Sequence, residues 1–278
     1  PGFDPERPPL AESAVEEVRA ALADLPQTRD TLSVAATVGR RFEVALIASA
    51  LSQPRKIVLK DLEVLEHETG LLRDVLEEDD VFEFRSQRAL DAVREALALR
   101  LKGPGATDVP QAVRELHAMV AQALRPRAAG SLADLLAMAT HFYGAGRSHC
   151  GEAVTANLEA SRKLAGLLRF AEAETFLAQA AACAAAAGRA AEVTAMELRL
   201  AAERAHVTGV GARRVAEAGL SFLAGSAPPD DWLALAVARA CYEAGRDGGA
   251  SLTGECERLA LAVAGRSEEP LARAQGLH

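Results

Sequence analysis

At 278 residues the chain exceeds a minimal single domain and is long enough for a compact module followed by a helical array. Half of the residues are hydrophobic but only 4% are aromatic, so alanine and leucine must supply most of the core, which favours closely packed helices over a β-sandwich. A net charge of -8 disfavours non-specific binding to nucleic acid or to an anionic membrane surface.

The four cysteines at 150, 183, 241 and 256 form no C-x-x-C pair and read as reduced thiols of a cytoplasmic protein. No apolar run approaches the roughly 18 residues of a spanning helix, and Pro1-Gly2-Phe3-Asp4-Pro5 has neither the charged nor the apolar region of a signal peptide. A soluble protein with no membrane partner is expected. The start on a Pro-rich lead without methionine suggests a piece of a longer or processed polypeptide, with any catalytic domain outside it.

In chain order, Val15, Val18 and Leu22 predict a short helix over 11–23 that ends at Leu25-Pro26, within a lead of 1–31. Two short apolar helices follow at 32–38 and 44–51, then a third at 58–68 stopped by Thr69-Gly70. Leu71 to Leu76 reads as extended, Glu77 to Asp80 as a polar turn, and Val81-Phe82-Glu83-Phe84 as a returning strand. Three helices and a β-hairpin make a winged-helix module, which with its exit helix at 87–101 spans 32–101. Residues 102–110, with Lys102-Gly103-Pro104-Gly105, are the expected linker.

Beyond the linker every periodic segment reads as helical: 111–124, 131–145, 151–168, 170–187, 190–207, 212–224, 230–245 and 252–264. Short Gly turns such as Gly188-Arg189 and Gly245-Arg246 join them in pairs. Leu168 to Ala173, with Phe176, Leu177 and Ala180, has the small-residue and aromatic spacing of tetratricopeptide (TPR) helices, so 111–278 is expected to be a TPR-like array. Seven alanines in the eight residues 180–187 predict a tight helix contact. The expected fold class is therefore mainly α: a winged helix followed by a helical TPR-like array.

Catalytic machinery is not legible. No Gly-Lys dipeptide occurs, which excludes a P-loop; H-E-x-x-H and G-x-S-x-G are also absent, and His67-Glu68 has Leu71 where a second histidine is required. His149-Cys150 reads as part of an interhelical loop, His141 as a core histidine, and Trp232 as a first-turn anchor of its helix. The chain is not expected to be an enzyme, to bind a metal, or to hold a cofactor of its own. A winged helix raises DNA binding, but Val58 to Asp80 carries two bases and nine acids, a balance of -7 that repels phosphate.

Leu32-Ser33-Val34-Ala35-Ala36-Thr37-Val38-Gly39-Arg40-Arg41-Phe42, Asp61-Leu62-Glu63-Val64-Leu65, Gly70-Leu71-Leu72 and Phe82-Glu83-Phe84-Arg85 together resemble the winged-helix region of STAND-type signalling ATPases. In bacterial members of that family this region follows an AAA-like nucleotide-binding domain and precedes TPR-like repeats. The resemblance covers about residues 12–200 and implies a winged helix that acts as a packing and switch element, with a helical array that senses a partner. ATP or ADP would then be bound by a longer parent protein. Ser86 stands where the family commonly has a histidine that meets nucleotide phosphates; Arg85 or Arg88 would be the substitute contact, or a surface ion pair.

The resulting expectation is the regulatory and protein-interaction half of a signalling ATPase. A DNA-binding regulator and a stand-alone TPR-like adaptor are the alternatives. On the array, the first helix of each pair should line the inner face and offer His141, Arg199 and Arg204, beside Glu197 and Glu203, to a protein or peptide ligand. The Ala-rich helix at 170–187 is expected to be packed too closely to take part.

Overall fold

A computed structural model describes residues 25–76, 78–101, 111–208, 210–225 and 231–246, with isolated residues in 15–23 and 254–262. The protein is mainly helical, with eleven α-helices and one three-stranded sheet among the described residues. It divides into two compact units, Pro1–His149 and Cys150–His278. The expected linker at 102–110 lies outside the described residues, as do most of the expected helices at 11–23 and 252–264.

In the first unit, α1 (Arg29–Val38) buries six consecutive residues from Thr31 to Ala36, the pattern of a central helix enclosed on all sides. A strand absent from the expected order, β1 (Arg41–Glu43), comes next. Three residues are too few to display alternation, and only pairing with a partner strand defines them. Helix α2 (Val44–Leu51) ends with Ser52 in the left-handed conformation, and Gln53 N–H reaches back to Ala48 O at 3.0 Å. Helix α3 (Arg55–Thr69) starts three residues before its expected position, directly after Pro54.

Strands β2 (Leu72–Asp74) and β3 (Val81–Phe84) complete an antiparallel sheet in the order β1-β3-β2. The expected strand over 71–76 is shorter, because Leu76 is 93% exposed beyond the last paired residue. Phe42 faces Phe82 across β1 and β3 and meets the Phe84 ring edge-on at 5.9 Å. Arg73 opposes Glu83 across β2 and β3 and makes an ion pair with it. The sheet closes over Leu32, Ile47, Leu62, Leu65 and Phe84, all fully buried.

Helix α4 (Gln87–Leu101) covers this core with Leu90 and Val93, and Arg94 Nε donates to Ala36 O at 2.8 Å. Helices α5 (Gln111–Ala128) and α6 (Leu132–Gly144) add to the same core. Val120 and Leu124 are buried in it, and α5 packs on α1 and α2. The helix pair expected to open the array therefore belongs to the first compact unit, since its apolar stripe is already satisfied there. Helix α5 also continues through Pro126, which deprives only its last turn of an N–H. Arg127 holds that turn with a two-pronged contact to Glu43 at 2.9 Å and a bond to Asp134 at 3.2 Å.

The second unit contains α7 (Cys150–Gly166), α8 (Phe170–Ala187), α9 (Ala190–Thr208), α10 (Ala212–Gly225) and α11 (Asp231–Arg246). Helices α7 and α8 form a hairpin, and α9 packs on α7, α8, α10 and α11. The expected helix over 151–168 stops earlier, at Gly166, because Leu168 turns left-handed while Arg169 N–H bonds Leu164 O and Leu168 N–H bonds Ala165 O. Gly188 makes the same closure after α8, where glycine adopts φ +67° without a Cβ penalty. Fully buried Val237, Ala240 and Cys241 of α11 pack with Ala202 and Ala216, so small side chains supply much of this core.

Candidate functional site

One face of α9 carries Glu197, Leu200, Ala201, Arg204, Ala205 and Thr208, the i, i+3, i+4, i+7, i+8, i+11 series of a single helical stripe. With Glu174 and Leu177 of α8 and Val210 and Val215, this stripe lines an open cleft of about 470 Å³. Buried Leu177, Leu200 and Ala205 make an apolar floor. Thr208 anchors one end, where its hydroxyl donates to Arg204 O at 2.9 Å and accepts the Val210 N–H at 3.3 Å.

Charge on the rim is acidic. Arg204 makes an ion pair with Glu174 across the two helices. Exposed Glu197 meets no cation among the described residues, so its carboxylate faces solvent beside the apolar floor. Val210, 77% exposed, extends the apolar surface outward. The arrangement can hold an apolar side chain over Leu177 and Leu200 with a cation placed at Glu197.

Arg204 and Glu197 line the same cleft, and the other residues proposed for that face are not in its lining. Arg199 is five positions from Arg204, about 140° around the helix. It lies half-buried on another side of α9, where its Nε donates to Glu203 Oε1 at 2.8 Å. Helix α8, expected to be excluded from the reading face, contributes Glu174 and Leu177 to the cleft wall. The Ala-rich half is its C-terminal end, where Ala180, Cys183 and Ala184 are buried, and Glu174 lies in the polar first half.

His141 belongs to the first unit and is only 6% exposed, so it presents no ring to a partner, contrary to its place on the expected face. Its Nδ1 lies 2.9 Å from the His117 Nδ1, so one imidazole donates and the other accepts. Burial, the adjacent His117 and the Arg94 guanidinium push the His141 pKa down to about 3. Burial first, then Arg94, also lowers His117. The pair is a neutral hydrogen-bonded element of the core.

Arg85, Ser86 and Arg88, the expected phosphate contacts, are exposed: the first two lie between β3 and α4, and Arg88 lies in the first turn of α4. Two of them have structural tasks. The Arg85 N–H donates to Leu71 O at 3.0 Å and its Nε to Leu72 O at 3.1 Å, which extends the sheet. Ser86 Oγ accepts the Ala89 N–H at 3.0 Å and caps α4.

Cys150 starts α7 and is buried. Burial and the neighbouring Cys150 thiol raise the Cys183 pKa to about 11, which keeps it protonated. No group of three metal-ligating side chains occurs among the described residues. Trp232 lies in the first turn of α11; its side chain is outside the described residues. No helix among the described residues is long and apolar enough to cross a membrane. Comparisons with family models, characterised proteins and solved structures give no match to this chain.

Proposed function

We propose that the chain is a regulatory, protein-interaction region of a cytoplasmic signalling ATPase of the STAND type, in which the second unit docks a partner segment and the first acts as a packing and switch element. One observation carries the docking reading: an apolar cleft with a carboxylate, Glu197, that meets no cation among the described residues and lies on the same helical stripe as the cleft floor. The occupant that complements it is a protein segment with an apolar anchor flanked by lysine or arginine.

The helix hairpin of α7 and α8, with α9 packed on both, supports a TPR-like stack, and the order α1-β1-α2-α3-β2-β3 supports a winged helix. Acids along α3 and the turn before β3 favour a protein partner for that module over duplex DNA, such as an AAA-like nucleotide-binding domain. An adaptor that was never joined to an ATPase is the competing arrangement. The reading frame upstream of Pro1 distinguishes them: a P-loop domain in frame supports the ATPase reading, and an in-frame stop codon overturns it.

Fluorescent ten-residue peptides test the docking reading directly. Peptides with one leucine anchor between lysines should bind the full chain, and the same peptides with glutamates should not. Glu197→Lys should reverse that preference by at least tenfold. Equal binding of both peptides to both proteins would refute a role for the cleft.

A further inference from the structure

A second concave site lies within the first unit, distant in sequence from the cleft just described. Gln111, Arg114 and Glu115 at the start of α5 face Ala145 and the 3-10 turn Arg147–His149 across an open pocket of about 480 Å³. The Arg114 stem is clamped: a Cβ on Gly146, at φ +78°, would come within 2.7 Å of Arg114 Cδ. Gly144 approaches the His117 ring as closely, so two glycines let the end of α6 sit directly on α5.

Neither Arg114 nor Arg147 meets a carboxylate among the described residues. The one carboxylate among the described lining residues, Glu115, accepts the Gln111 side-chain N–H at 2.9 Å. Two guanidinium groups against one carboxylate give the described lining residues a net positive charge in a chain of net -8. The first turn of α5 adds the positive end of an 18-residue helix, and Ser148 adds a hydroxyl.

We propose that this pocket binds the phosphoryl group of a small organic phosphate. Guanidinium groups from two different elements, together with a hydroxyl, suit a group with three free oxygens better than a planar carboxylate with two. The volume falls in the range of small-molecule sites and leaves room for the organic part beside Ala145. Arg114 is pre-organised by Gly146, while exposed Arg147 closes on the ligand from the turn.

Calorimetry on the full chain at constant ionic strength, with phenyl phosphate, benzoate and inorganic phosphate as probes, tests the assignment. Phenyl phosphate should bind at least tenfold more tightly than benzoate and more tightly than inorganic phosphate. Arg147→Gln, an exposed change that leaves the melting temperature in place, should weaken phenyl phosphate at least tenfold, and Arg114→Gln likewise. Glu115→Gln should tighten it, an outcome that no loss of folding can imitate. Equal affinity for benzoate would make the site a carboxylate reader and overturn the phosphoryl assignment. Binding unchanged in both arginine variants, or no heat from phenyl phosphate at millimolar concentration, would overturn the site itself.

Discussion

Lowering the pH from 7 to 5 should destabilise the first unit through His141, well before its carboxylates protonate. A histidine whose folded pKa is held below its unfolded value contributes full stability above the unfolded pKa and loses it as the pH falls through that value. For His141 those limits are 6.5 in the unfolded chain and about 3 in the fold. Over that window the unfolded state takes up one proton that the folded state refuses. Between pH 7 and 5 the loss is about 2 kcal/mol, at roughly 1.4 kcal/mol per pH unit for one proton. His117, lowered in the same direction, adds to it.

Carboxylates act in a different window. Glu43, held below 4.5 by its Arg127 bonds, contributes stability that is lost only as the pH falls below that value. His141→Asn isolates the effect, because the asparagine amide can reach toward His117 as Nδ1 does but does not titrate. Urea unfolding by circular dichroism, with hydrogen exchange of the α5 and α6 amides to locate the loss, should give a pH 7 to 5 difference smaller by about 2 kcal/mol in the variant. The imidazole ¹⁵N shifts of His141 should stay those of a neutral ring at pH 5. A midpoint near 6.5, or the same pH dependence in the variant, would refute the reasoning.

Gly219→Ala should destabilise the second unit by about 1–3 kcal/mol despite a better helix propensity, because the new Cβ would come within 2.4 Å of Val237 Cγ2. Adding Val237→Ala should recover part of that loss, as read from urea midpoints. Leu168→Gly should stabilise the chain by up to about 1 kcal/mol, because Leu168 is left-handed at φ 59° and its side chain is largely exposed. An unchanged or lower midpoint would show that the leucine contacts outweigh the strain. A gel shift with random duplex DNA at physiological salt should give no saturable binding, given the -7 balance from Val58 to Asp80.

The helices were legible from sequence because their signals are local. A 3.6-residue stripe and a closing Gly188 each act within one or two turns, and α8 at Phe170–Ala187 matches its expected span. Where a local signal misled, another residue took up the same geometry: Leu168 and Ser52 adopt the left-handed closure usually given to glycine. Strand β1 escaped notice because its three residues acquire meaning only from β3, about forty positions away. The sites depended on the same kind of distance. Arg204 and Glu197 could be placed on α9 by spacing, but Glu174 reaches Arg204 only through the packing of α8 on α9. His141 read as a core histidine yet was also placed on the reading face, and the facing His117, 24 residues earlier, holds it in the core. Sequence determined which residues share a helix face; only tertiary packing decided which faces meet, because burial is a property of two surfaces together and periodicity is a property of one.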